Sequence, residues 1–376
     1  MHRSFMLAVL LAVMSCIAAS AKEDAAAVEA PATLQEVALS FAERRDLAAV
    51  GILTLVEGEQ ELATAGLRRV NAGDPVTPED LWHLGSNSKA MTATLIAVLV
   101  EQGVLSWDSR PAELIGAGDA EVHPGLADAT LLDLLRHRSG VAAFTDGNDF
   151  QKLPDFGVET DSELRLAFSR WLLASPPAVE HGEFLYSNAG YGMAACMAEL
   201  ATGRSWMELM DTELFAPLGI EAAYGWPALE DEAQPWGHLL VLTSLVEHDP
   251  HSDYQLGPLI APAGDISLSL ADMGKFLALH LQQSSETPLI SAENMRVLHE
   301  ASGDYACGWI AGTDNTGNTF YSHDGSAGTF YCRVILAPAK QSAVAIVVNR
   351  GAADGLMEEI FNAVIPLVIA SRQEGT

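Results

Sequence analysis

The sequence predicts a mixed α/β fold of the α+β type. An antiparallel sheet is built from both chain ends and flanked by helices, with a mostly helical lobe inserted between. Three observations carry this. Two β-like runs lie close together near the N-terminus, at residues 48–56 and 61–68. Four more, at residues 307–311, 319–323, 329–336 and 343–349, fill the C-terminal third, with Gly, Asn or Pro between them. The stretch 81–230 reads as a succession of helices. A lone hairpin cannot bury its apolar face, and the C-terminal meander is the one sheet it can join.

Taken in order, the chain opens on MHRSFMLAVLLAVMSCIAASAKEDAAA. Basic His2 and Arg3 precede an apolar run over residues 5–19, and Ala19-Ser20-Ala21 supplies a small-x-small cleavage site. That order is a secretory signal peptide over residues 1–21, so the protein is expected to be exported, to a periplasm or outside the cell. Lipoprotein processing at Cys16 is the lesser alternative, because Met14 fits a lipobox poorly. Residues 34–45 have helical periodicity. Glu57-Gly58-Glu59-Gln60 separates the first two β-like runs as a hairpin. Helical segments follow at 129–136, 162–174, 189–202 and 205–215, divided by Ser139-Gly140, Pro176-Pro177 and Pro217-Leu218-Gly219. Two more helices are expected at 268–282 and 291–300, and a last one at 355–370 closes the meander. The expected division is a sheet lobe from residues 34–80 and 231–372, with 81–230 inserted as the helical lobe. A site at the seam of two lobes is a common arrangement.

The composition narrows function. Formal net charge is −30 over 376 residues, which argues against a basic face for nucleic acid or anionic membrane. No uncharged stretch after the leader is long enough to span a bilayer. Three cysteines remain after processing, an odd number and no disulfide framework. Cys307 and Cys332 lie in neighbouring strand-like segments and are candidates to pair in an oxidising compartment, whereas Cys196 sits in an apolar helical run. No cysteine has metal-ligand spacing. Glu247-His248-Asp249-Pro250-His251-Ser252-Asp253 concentrates potential ligands, but its proline and acidic residues suit a solvated turn. No metal site is expected from these residues.

The candidate chemistry begins at Trp82-His83-Leu84-Gly85-Ser86-Asn87-Ser88-Lys89. The chain has five lysines, and this one opens a run with no charge until Glu101. A helix that apolar is normally buried. Ser86 and Lys89 are three apart, one helical turn on the same face. Serine attacks only when its proton is taken, and lysine takes it only with a pKa lowered by burial. Ser88, next to Lys89, does not face it and ranks below Ser86. Further on, Tyr186 and Asn188 stand two apart, which on an extended segment aims a phenol and a carboxamide the same way. The phenol is a candidate proton shuttle. Asn188 is a candidate partner of Lys89 or of a substrate amide, or the cap of the following helix. At a strand end, His323-Asp324-Gly325 gives a glycine that permits close backbone approach, and the N–H groups of Ser86 and Ser326 are candidates for an oxyanion hole. His137 reads as a packing residue rather than a base.

Ser86-x-x-Lys89, Tyr186-x-Asn188 and His323-x-Gly325, in that order and at these separations, resemble the serine β-lactamase-like hydrolases: penicillin-binding proteins, class C β-lactamases, D-aminopeptidases and esterases. The segments from Leu131 to Val141, from Tyr186 to Ile220 and from Ala261 to Leu281 resemble further family segments, with Arg138 where threonine is usual and Asp265 in place of a glycine. The likeness spans roughly residues 35–370. It implies a β-lactamase/transpeptidase-like fold that needs no metal or organic cofactor. It also implies that Ser86 attacks a carbonyl, that Lys89 and Tyr186 manage its proton, and that Asn188, His323 and Gly325 line the substrate site. Family members of the β-lactamase and transpeptidase type carry Lys-Thr-Gly where this chain has His323-Asp324-Gly325, so a permanent cation for a substrate carboxylate is missing. The expected protein is an exported serine hydrolase forming an acyl-enzyme on Ser86. Its substrate is a small molecule or peptide: an ester, an amide or a D-amino-acid peptide, with β-lactams turned over weakly. The alternatives are a penicillin- or peptidoglycan-binding module without turnover, and a class C β-lactamase or D-alanyl-D-alanine carboxypeptidase proper.

Overall fold

A computed structural model describes residues 33–118, 120–281 and 289–374. The expected signal peptide and Cys16 lie outside the described residues. Along the chain the elements that matter here are α1 (Leu34–Ala42), β1 (Ala49–Val56), β2 (Glu59–Gly66), β3 (Trp82–His83), α2 (Ser88–Glu101), α3 (Leu131–Leu135), α4 (Asp161–Ala174), α5 (Asn188–Thr202) and β4 (Ala222–Tyr224). There follow β5 (His238–Val241), β6 (Ser244–Glu247), α6 (Ala261–Gly264), β7 (Ile266–Leu268), α7 (Leu270–Leu281) and α8 (Ala292–His299). The chain closes with β8 (Ile310–Thr313), β9 (Thr319–Ser326), β10 (Tyr331–Ala337), β11 (Ser342–Val348) and α9 (Asp354–Glu374).

The main sheet is antiparallel, in the order β2-β1-β11-β10-β9-β8. The N-terminal hairpin joins it through β1 and β11, with Val50 opposite Val348 and Val56 opposite Ser342. Both central strands are buried along nearly their whole length, so they read as continuous apolar runs rather than alternating ones. Alternate residues still part to opposite faces. Val50, Ile52, Val344, Ile346 and Val348 meet Leu34 and Val37 of α1 and Leu356, Met357, Ile360 and Val364 of α9. Ala49, Leu53, Leu55, Ala345 and Val347 belong to the larger core, which includes Met273 and Leu277 of α7 and the residues of α2 and α5. Thr33 and Glu36 close a reciprocal capping box that starts α1.

Some details differ from the sequence reading. The first hairpin turns on two residues, Glu57 and Gly58, both at positive φ, so Glu59 and Gln60 fall within β2; a two-residue turn of this hand matches the strand twist. A three-stranded sheet, β3-β7-β4, takes β3 and β4 from the stretch expected to be helical, and a two-stranded hairpin, β5-β6, lies outside the strand-like runs read from the sequence. Cys307 and Cys332 are both free and buried. In the sheet order β9 lies between β10, which carries Cys332, and β8, which Cys307 precedes. The Cys307 thiol is turned instead toward the Val297 carbonyl, 4.0 Å away. Among the described residues no cluster of metal-ligating side chains occurs, and no helix is long and apolar enough to cross a membrane.

Candidate active site

The short strand β3 delivers the chain into a tight turn, Gly85–Asn87, from which α2 springs. Pairing of β3 with β7 and a bond from Leu84 N–H to the Ile266 carbonyl (2.9 Å) fix its direction. Ser88 is spent on this scaffold. Its hydroxyl donates to the Gly85 carbonyl (2.8 Å) and accepts from Ile266 N–H (3.2 Å). Ser86 stands at the turn, and the strand β9 passes against it. Gly85 has φ +52°, and a methyl group there would run into the amide nitrogen of Ser326. A methyl on Gly325 would run into the Leu84 carbonyl and lie close to the amide nitrogen of Ser86. Glycine at both positions lets two backbones touch, which brings the 85–86 and 325–326 peptides together.

Lys89, on the first turn of α2, is fully buried, as is every α2 side chain from Ser88 to Leu99. Its Nζ lies 3.2 Å from Ser86 Oγ and donates to the Ala263 carbonyl at 2.8 Å. Burial pushes its pKa well below the ordinary 10.5, because a low-dielectric site disfavours the ammonium. Nζ also lies 4.7 Å from the centre of the Tyr186 ring and 5.6 Å from that of Tyr191. The serine, lysine and tyrosine singled out by sequence are thus together. Burial pushes the Tyr186 phenol up, and the Ser86 hydroxyl pulls it part of the way back.

Asn188 opens α5, but the cap is Ser187, whose Oγ accepts from Gly190 N–H at 2.9 Å. Asn188 Nδ2 donates to the Phe144 carbonyl (3.0 Å), and its Oδ1 is buried with no partner. No bond joins it to Lys89. His323 is buried beside the Ser86–Lys89–Tyr186 cluster, its ring centre 6.2 Å from that of Tyr186. Its Nδ1 bonds the Asp324 carbonyl at 2.7 Å and must carry the proton, so Nε2 accepts from Tyr305 Oη at 3.0 Å. Burial, with Lys89 adding to it, lowers the His323 pKa to about 4. Asp324 points to the other face, held by Arg333 through two 2.7 Å bonds. His137 packs 4.4 Å from the Tyr186 ring, and its Nδ1 accepts from Ser187 N–H at 3.1 Å. Sequence reasoning missed the Ala263 carbonyl, since a backbone acceptor leaves no residue signature. It also missed Tyr191 and Tyr305, which look like ordinary core aromatics in the sequence.

A buried amine of lowered pKa beside a serine hydroxyl, under two facing backbones, is equipped for acyl transfer. The chain is similar to proteins named as penicillin-binding proteins, hydrolases and β-lactamases. Penicillin-binding protein 4 of Amycolatopsis lactamdurans is 26% identical over 342 residues, 84% of each chain. The unguisins hydrolase ungD of Aspergillus violaceofuscus is 28% identical over 241 residues, 60% of this chain and 41% of its own length. The class C β-lactamase from Rhodobacter sphaeroides superposes with a TM-score of 0.71 at 21% identity, covering 88% of this chain and 97% of that one. The family model described as Beta-lactamase matches residues 34–364, and the chain belongs to that family.

Proposed function

We propose that this protein is an exported serine hydrolase that acylates Ser86 and turns the acyl-enzyme over with water. The observation that carries the reading is the 3.2 Å contact between Ser86 Oγ and a fully buried Lys89 Nζ. A neutral amine donating one N–H to the Ala263 carbonyl keeps a lone pair for the serine proton. Ser86 Oγ then attacks a substrate carbonyl, and the oxyanion forms between the N–H groups of Ser86 and Ser326. Tyr186, held protonated by its raised pKa, passes a proton to the leaving group, and its proton is restored through Lys89. Water repeats the attack on the acyl-enzyme by the reverse relay. The orphaned Oδ1 of Asn188 suits a substrate N–H.

The substrate class follows from charge. His323 is neutral at physiological pH and engaged on both ring nitrogens, so it offers no fixed cation to a carboxylate. Esters, amides and D-amino-acid peptides without a carboxylate beside the scissile bond are therefore favoured over β-lactams. The similarity to a protein named as a hydrolase supports turnover, and that to a penicillin-binding protein supports the non-turnover alternative. One purified sample assayed on short-chain p-nitrophenyl esters, D-amino-acid amides, an acyl-D-Ala-D-Ala peptide and nitrocefin separates these. The expected result is ester or amide turnover exceeding nitrocefin turnover, and its loss in Ser86→Ala. Full activity in Ser86→Ala contradicts the assignment.

A further inference from the structure

We infer that His83 and Asp265 form a brace that sets the spacing of Ser86 and Lys89, and that both are positioning residues for the reaction; the inference rests on the function proposed above. His83 is fully buried, three residues before Ser86. Its Nδ1 accepts from Gly85 N–H at 3.3 Å. A ring nitrogen that accepts an amide proton carries none of its own. The proton is therefore on Nε2, which donates to Asp265 Oδ1 at 3.0 Å. The ring is clamped on its flank by Trp226, 4.6 Å between centroids.

Asp265 lies at the end of α6, the short helix whose Ala263 carbonyl receives Lys89 Nζ. Its own amide donates to the Ala261 carbonyl (3.0 Å) and its carbonyl accepts from Gly225 N–H (2.9 Å), which fixes the backbone beneath the carboxylate. One side chain pair thus ties the segment that anchors the lysine to the peptide that precedes the serine. The two anchors are 182 residues apart in sequence, and a charged acceptor strengthens the link. Other bonds cross the same seam, from Leu84 N–H to the Ile266 carbonyl and from Ile266 N–H to Ser88 Oγ, but these fix the backbone beside the turn. The His83 ring alone bonds the Gly85 amide, next to the nucleophile. Reactive groups must be held to a fraction of an ångström, and about 1 Å of misplacement costs on the order of a hundredfold.

Asp265→Ala removes the acceptor, whereas Asp265→Asn keeps an oxygen for Nε2–H. The expected result is a kcat lowered about tenfold or more in Asp265→Ala at nearly unchanged KM and melting temperature, since positioning acts on the chemical step. Asp265→Asn restores most of it. Nitrogen NMR of the histidine rings is to read the Nε2–H tautomer for His83 in the parent protein and in Ser86→Ala, and its loss in Asp265→Ala. Wild-type kcat in Asp265→Ala, an Asn variant no better than Ala, or an Nδ1–H tautomer for His83 overturns the brace. The NMR reading needs no turnover. It tests the brace even where Ser86→Ala keeps full hydrolysis, an outcome that contradicts the proposed function instead.

Discussion

Lys89 has no carboxylate partner among the described ion pairs, and burial alone lowers its pKa. That has a cost the fold carries for function. Between the folded pKa and 10.5 the unfolded chain binds a proton that the native state does not, so stability falls as pH drops through that window. At neutral pH the lysine is therefore destabilising. Lys89→Met is expected to raise stability by about 1 kcal/mol, as relief of a strained functional site does, and to lower acylation about a thousandfold, the scale of a lost general base. Urea unfolding and stopped-flow ester hydrolysis check the two halves; a variant that is both slower and clearly less stable contradicts this account. Legibility at this scale was uneven. Ser86 and Lys89 stood out because a rare lysine heads an apolar run one turn after a serine, and Tyr186 stood out only through the resemblance of Tyr186-x-Asn188 to a family motif. The orientation of His323 did not, because a strand residue's face is set by register, and its bond to Tyr305 spans a loop whose path no local pattern encodes.

At the scale of elements, the site is a junction between the turn before α2 and the end of β9. Gly325 makes that junction possible, since a methyl there meets the Leu84 carbonyl. Gly325→Ala is expected to push β9 off the turn and lower kcat/KM about a hundredfold, with the sheet's circular dichroism retained because β10 still pairs with β9 on the other side. Wild-type kcat/KM in that variant contradicts the close approach. The long strands and helices were readable as sustained apolar runs, as β1, β11, α2 and α5 attest. Two- and three-residue strands such as β3, β4 and β7 are shorter than any repeat, and their pairing depends on partners far along the chain. Such strands still matter: β3 aims Ser86.

For the whole molecule, the −30 charge opposes compaction by self-repulsion, and histidines whose pKa is lowered by burial add an acid limit. Burial lowers the pKa of His323 and His299 to about 4, and of His137 and His280 well below 6.5. The unfolded chain takes up protons at 6.5 that the native state refuses, so the histidine contribution to stability is full above that pH and declines as pH falls from 6.5 toward 4. His323 and His299 each contribute on the order of 3 kcal/mol to the loss by pH 4. Urea midpoints at pH 7, 5.5 and 4.5 are expected to fall steadily; a flat profile contradicts burial in the neutral form. The antiparallel sheet from both chain ends was legible because a hairpin with a buried face needs a sheet, and only the C-terminal third supplies one. The central claim is that Ser86 is the acylated nucleophile. Its most direct test is intact-mass and peptide-mapping spectrometry after rapid quench with an activated ester or a fluorophosphonate. One adduct is expected, on the peptide containing Ser86, absent in Ser86→Ala and slowed in Lys89→Met; an adduct on another residue, or one that persists in Ser86→Ala, would contradict the assignment of Ser86.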